Sequence, residues 1–406
     1  MRQKDVILKR QKVKLRFKNG DMDFMLNWLI GISQIIGMST SQIYYALRNV
    51  QDGNPNQWRD AFWELGDYQM EMANYYANQS FHSAVAQMHF GAAYAYRFSL
   101  QYTSPYFSEF EKRIRQMETA FQAACQSARL PINSVEIPFE NGALPGYYLR
   151  HSDERPTVMM IGGGDTFRED LFYFAGYPSL CRGYNALMVN LPGQGATPLR
   201  GLYFRVNMEE SIKAIIDWLH VNHPSAARNI SVFGVSGGGY LSALAVENES
   251  RIKAWIAATP IYDLGKLMKN EFGAVMNAPS WILNLVLKIS GSFNEASKIN
   301  IEKYAWQYGT DDFKKVIQEI GKQAKIVDIN KLCAKSLFLV SEGEGEELKK
   351  QTKEIYDNLR SRNISATLID FPAELGADAH CQVNNLRLAH NVIFDWLDGN
   401  FASDKT

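Results

Sequence analysis

Two hydrophobic rhythms divide this chain. Across residues 22 to 128, apolar positions recur at steps of three and four and strand patterns are almost absent. Phe110, Ile114, Met117 and Phe121 carry this spacing most plainly, as one buried helical face. The pattern predicts helices from Asp23 to Val50, Gln57 to Ala77, Ser80 to Tyr102 and Tyr106 to Arg129. The breaks fall at DGNPN, ANQS and TSP, which hold the Gly, Pro, Asn and Ser that end helices. Trp28, Trp58, Trp63, Tyr75, Tyr76, Phe90, Tyr94 and Tyr96 crowd this stretch, and such side chains are expected to fill its core.

The rhythm changes near Leu130 and Pro131. From there, short apolar runs alternate with helical patterns, the signature of a mostly parallel sheet with crossover helices. The expected strands are SVEIPF, GYYLR, TVMMIG, NALMVNL, ISVFGV, IKAWIAA, SLFLV and ATLIDF. Between Tyr262 and Val327 the alternation lapses, although 278 to 290 and 311 to 325 keep helical patterns. A long excursion inside a compact domain is commonly functional, so this one reads as a cap over a site. The expected fold class is therefore α/β, with an all-helical N-terminal domain over 1–130, a sheet-based domain over 131–406 and a cap insertion over about 262–327.

Composition narrows the partners. The 406 residues are 46% hydrophobic, enough for a large core and a smaller one. Lys plus Arg and Asp plus Glu are 43 each, so no global basic field draws in nucleic acid, and a small molecule is the expected partner. Cys125, Cys181, Cys333 and Cys381 are scattered without a C-x-x-C pair, which argues against a disulfide framework or a metal cluster and for a reducing, cytoplasmic compartment. The basic N-terminus lacks the apolar core of a signal peptide, no apolar run is long enough to span a membrane, and no membrane association is expected. Aromatic-rich helices and the basic arm make a homodimer an expectation.

Candidate chemistry centres on Gly234-Val235-Ser236-Gly237-Gly238, a G-x-S-x-G pentapeptide between a strand pattern and a helix pattern. A nucleophile on such a turn has a strained backbone, and glycine neighbours let the turn pack and a substrate approach. Serine needs a base and a group to orient it. Of seven histidines, only His380 lies in a Gly-containing loop after a late strand and before the final helix. The acid belongs after SLFLV, in SEGEGEEL. Matching SEGE to the common G-x-x-D turn puts Glu344 first, with Glu342, Glu346, Glu347 and, one strand earlier, Asp263 as alternatives. Oxyanion donors are expected from the Gly237 amide and from the loop after the third strand, where Gly163, Gly164 and Asp165 stand in IGGGDT. That loop lacks the spacing of the common phosphate-binding motifs. The turn LPGQG after NALMVN reads as structural.

With these residues in view the chain resembles the α/β-hydrolase superfamily. More narrowly it resembles the group with an N-terminal helical domain that includes 2,6-dihydroxypseudooxynicotine hydrolase and the fungal yellowish-green naphthopyrone hydrolases. The resemblance runs from about residue 84 to 395, through AQMHFGAAYAYRFSLQY, VEIPFENGALPGYYLR, IGGGDT, NLPGQG, GVSGGGY and GADAHCQ. Asn190 stands where these relatives often have Asp, and the acid turn carries Glu in place of the usual Asp. The resemblance implies a site between helical domain and core, no cofactor, and cleavage of a carbon–carbon bond beside a ketone or of an ester. A thioesterase or cyclising acyltransferase, and a non-catalytic binding protein on the same scaffold, are the alternative expectations.

Overall fold

The computed structural model describes residues 10–277 and 295–401. Among the described residues, five helices precede the first strand: α1 (Gly20–Ser33), α2 (Thr40–Leu47), α3 (Pro55–Asn78), α4 (His82–Gln101) and α5 (Phe110–Ser127). Local chemistry sets their ends. Asn54 caps α3 by accepting from the Gln57 amide at 3.1 Å, and Pro55 takes the first turn, where its missing N–H costs nothing. The helix expected from Asp23 to Val50 is in fact two. Gly37 has φ 99°, and a Cβ there would stand 2.9 Å from the Tyr94 ring, so the chain turns where that ring packs. Ser39 and Gln42 then form a capping box that starts α2. The apolar pair Ile35 and Ile36 carries the helical pattern through the break.

The α5 face at Phe110, Ile114, Met117 and Phe121 is buried. Trp28, Trp58, Phe90, Tyr94 and Tyr96 are core residues as expected, whereas Tyr75 is 55% exposed and belongs to the surface.

Eight strands follow among the described residues: β1 (Ile132–Phe139), β2 (Gly142–Leu149), β3 (Thr157–Ile161), β4 (Asn185–Val189), β5 (Ile230–Val235), β6 (Ile252–Ala258), β7 (Lys335–Ser341) and β8 (Ala366–Phe371). They form one sheet in the order β1-β2-β4-β3-β5-β6-β7-β8. β1 pairs antiparallel with β2, and β2 with β4; every other pairing is parallel. Strands β3, β4 and β5 are buried throughout, which explains their near-continuous apolar sequences.

Alternation along the strands feeds two cores. Val158, Met160, Ala186, Met188 and Phe233 join the cluster containing Trp28, Trp58, Phe98 and Phe121, so the N-terminal helices share a core with one sheet face. Met159, Ile161, Leu187 and Val232 join the other cluster with Ile212, Ile216, Leu244 and Ile355 from helices Glu209–Asn222, Gly237–Asn248 and Glu346–Ser361.

Helices Leu264–Asn277, Glu295–Gln307 and Phe313–Gln323 lie between β6 and β7. The last accounts for the helical pattern at 311 to 325, while the pattern at 278 to 290 lies outside the described residues.

Candidate active site

At the carboxyl ends of parallel strands, Gly163, Gly164 and Asp165 follow β3, Ser236 follows β5, Glu344 follows β7 and His380 follows β8. Ser236 ends β5 with φ 56° and ψ −125°, a conformation that costs a non-glycine residue free energy and points to function where the surroundings enforce it. Close packing enforces it here. A Cβ on Gly234 would stand 2.3 Å from the Gly238 carbonyl oxygen, and one on Gly238 would stand 2.2 Å from the Ile161 carbonyl oxygen. The turn fits only with hydrogen at both positions. Helix Gly237–Asn248 starts immediately after, so its unpaired N-terminal amides lie beside the hydroxyl.

The loop after β3 runs alongside this turn. A Cβ on Gly163 would lie 2.8 Å from Ser236 Cβ and 3.2 Å from Oγ, and a Cβ on Gly237 would lie 3.6 Å from the Gly164 amide nitrogen. Gly163, Gly164 and Gly237 thus surround the serine with backbone alone. Neighbouring groups fix the loop. Gln194, from the LPGQG turn, donates to the Gly162 and Gly163 carbonyls at 2.8 and 2.9 Å. Gln307 donates to the Gly164 carbonyl at 2.6 Å. Arg97 of α4 donates to the Asp165 carbonyl at 2.7 Å and pairs with buried Asp170 at 2.7 Å. Asp170 in turn accepts from the Phe167 amide and the Tyr173 hydroxyl.

His380 and Glu344 meet at the next strand ends. Glu344 is 1% exposed, and its Oε2 lies 2.7 Å from His380 Nδ1. Its Oε1 accepts from the Cys381 amide at 3.2 Å. Burial disfavours a charged imidazole, but the adjacent Cys381 sulfur and the Glu344 carboxylate favour it, and the net effect raises the His380 pKa well above its ordinary value. The other candidate acids are engaged elsewhere. Glu342 pairs with Lys12 and accepts from the Ala373 amide, Glu346 is 91% exposed in its side chain, Glu347 pairs with Lys266, and Asp263 accepts from the Lys266 amide.

The Ser236 hydroxyl makes no hydrogen bond among the described residues, His380 included. The N-terminal arm also reaches this corner, at a sequence separation that no local pattern reveals. The His380 amide donates to the Arg10 carbonyl at 2.7 Å, Asp378 accepts from the Lys12 and Val13 amides, and the Phe24 ring centroid lies 6.4 Å from that of His380. Arg97, Gln307 and the arm had no local signal; Gln194 had one, because its turn leaves the same end of the sheet as the glycine loop. Among the described residues no cluster of three or more His, Cys, Asp or Glu could hold a metal, and no helix is long and apolar enough to cross a membrane.

Sheet order, helices on both faces and the strained serine between β5 and its helix are those of the α/β-hydrolase fold, and the chain is a hydrolase of that type. Among solved structures, 2,6-dihydroxy-pseudo-oxynicotine hydrolase superposes with a TM-score of 0.69 at 17% identity, over 94% of this chain and 97% of that one. AbyA5 superposes with a TM-score of 0.65 at 14% identity, over 95% and 100%. By sequence the chain is similar to the hydrolase LUC6 of a Fusarium species, 24% identical over 92% of this chain and 95% of the relative. It is also similar to the 20-hydroxy-prefusarin hydrolase FUS2 of Gibberella moniliformis, 23% identical over 95% and 98%. No protein-family model matches the chain.

Proposed function

We propose that the protein is a serine hydrolase whose nucleophile is Ser236, whose base is His380 and whose orienting acid is Glu344. The observation that carries the reading is the 2.7 Å contact between buried Glu344 and His380 Nδ1, at the sheet end where Ser236 holds its positive φ. With Nδ1 bonded to the carboxylate, Nε2 is the ring nitrogen free to take a proton. Ser236 Oγ attacks a carbonyl carbon as its proton passes to Nε2, and the amides of Gly237 and of the Gly163–Gly164 segment receive the developing oxyanion. Collapse expels the leaving group, protonated by the imidazolium, and water then releases the acyl group by the same steps in reverse order of roles.

The substrate proposed is a small aromatic or polyketide-like carbonyl compound, cleaved at an ester or at a carbon–carbon bond whose departing carbanion is stabilised. Support comes from what the similar proteins act on by name, 2,6-dihydroxy-pseudo-oxynicotine hydrolase and 20-hydroxy-prefusarin hydrolase, and from the aromatic helices that share a core with one face of the sheet. We assign the helices before residue 131 and the described residues of the segment over about 262–327 as covering elements of this site. Ser236→Ala tests the reading: it should remove both turnover of 4-nitrophenyl esters and labelling by a fluorophosphonate, while retained labelling would overturn it.

A further inference from the structure

Helix Glu295–Gln307 touches the glycine loop through Gln307 and Tyr304, and its Lys303, next to Tyr304, is buried against the end of α4. Gln307 holds the Gly164 carbonyl. The Tyr304 ring covers Gly164, at 3.2 Å from the place its Cβ would occupy, and the Tyr304 hydroxyl lies 3.5 Å from Asp165 Oδ2. Lys303 is 92% buried by its 8% residual exposure, and its ammonium donates to one oxygen, the Gln101 carbonyl, at 3.2 Å.

The neighbouring cations are matched. Arg10 pairs with Asp21, which also accepts from Tyr102 and Asn300, and Arg97 pairs with Asp170. Lys303 has no carboxylate within 4.0 Å among the described residues, and two of its three N–H donors have no acceptor there. A buried ammonium left so is costly, so the position needs a reason.

We propose that Lys303 is a substrate-binding residue that holds an ionised oxygen, a carboxylate or an enolate, of the molecule whose carbonyl faces Ser236. Burial lowers the Lys303 pKa to about 8, Arg97 pushes the same way, and Asp165, Asp21 and Asp170 oppose it, so the charge survives at neutral pH but is weakly compensated. Tyr304 then forms one wall between the anion site and the glycine loop. The orientation of the ligand rests on the Ser236 reading; the binding itself does not.

The test is calorimetric titration of the purified protein with benzoate and, separately, with the anion of 5,5-dimethylcyclohexane-1,3-dione. The two probes distinguish a carboxylate site from an enolate site. At least one should bind, and Lys303→Met should weaken that binding by about 10- to 100-fold, the span of one charge-assisted hydrogen bond to a buried group. Lys303→Arg should restore most of the affinity. Lys298→Met, on the same helix but 60% exposed in its side chain, should leave it unchanged. If Lys303→Met does not fold, Lys303→Gln takes its place, since it keeps an N–H for Gln101. Binding of neither probe by the unaltered protein, or equal binding by the neutral variant, would overturn the proposal. Lys303-dependent binding without any labelling of Ser236 would instead overturn the nucleophile assignment and leave the anion site standing.

Discussion

Replacing Glu344 by Gln removes one charge and leaves the shape of the site nearly intact. Its carboxylate accepts from His380 Nδ1 at 2.7 Å and from the Cys381 amide at 3.2 Å, with 1% of the residue exposed, so solvent offers no substitute. During attack His380 becomes an imidazolium about 4 Å, charge centre to charge centre, from that carboxylate; at an effective dielectric constant near 20 the attraction is about 4 kcal/mol. At roughly 1.4 kcal/mol per tenfold, its loss slows the step by about three orders of magnitude. The carboxylate also raises the pKa of His380, so the glutamine must lower it. In the proposed mechanism the neutral ring is the base. A raised pKa places the ascending limb of the pH–rate profile above pH 6.5, and Glu344→Gln moves that limb to lower pH while depressing its plateau. The assay is the second-order rate of fluorophosphonate labelling from pH 5 to 9, which needs no knowledge of the natural substrate. Glu342→Gln is the control, because that side chain is solvent-exposed and paired with Lys12, and it should change the rate by no more than about twofold. Equal effects of the two substitutions, or an unmoved limb in Glu344→Gln, would refute the assignment.

Other substitutions test the scaffold around the serine. Gly163→Ala puts a methyl group 2.8 Å from Ser236 Cβ and should cut the labelling rate at least about 100-fold, the usual loss when an oxyanion donor is displaced, with the thermal melting temperature shifted far less than by a core deletion. Arg97→Met strands Asp170, which is fully buried, and should cost about 3–5 kcal/mol in urea unfolding, together with a slower labelling rate because the Asp165 carbonyl loses its donor.

The sheet was legible because its central strands are buried on both faces and carry runs such as TVMMI and ISVFGV with little polar interruption. Ser236, its glycines and the loop of Gly163 and Gly164 were legible for a related reason. The close approach of two backbones leaves its mark as glycine in the sequence. The carboxylate that meets His380 was readable only as one of a set, since SEGEGEEL has four glutamates, and burial separates them: Glu344 turns inward while Glu342, Glu346 and Glu347 meet lysines. The break between α1 and α2 was written in Gly37 and in Ser39 with Gln42, but the apolar pair before it kept the helical period. What no local pattern could reveal is tertiary. Arg10 lies 370 positions from His380, whose amide it receives, and Lys303 sits in a helix whose sequence does not mark its buried side. Contacts at that separation depend on how the N-terminal helices and the segment after β6 fold back onto the sheet.

In the proposed mechanism a single oxygen, Ser236 Oγ, is the nucleophile. Reaction of the protein with a fluorophosphonate, followed by proteolysis and mass spectrometry of the adduct, tests it directly. A single adduct on Ser236, absent when labelling is run at a pH that keeps His380 protonated and absent in Ser236→Ala, is the predicted result. An adduct on any other residue, or a protein that stays unlabelled under conditions where a known serine hydrolase reacts to completion, would contradict it.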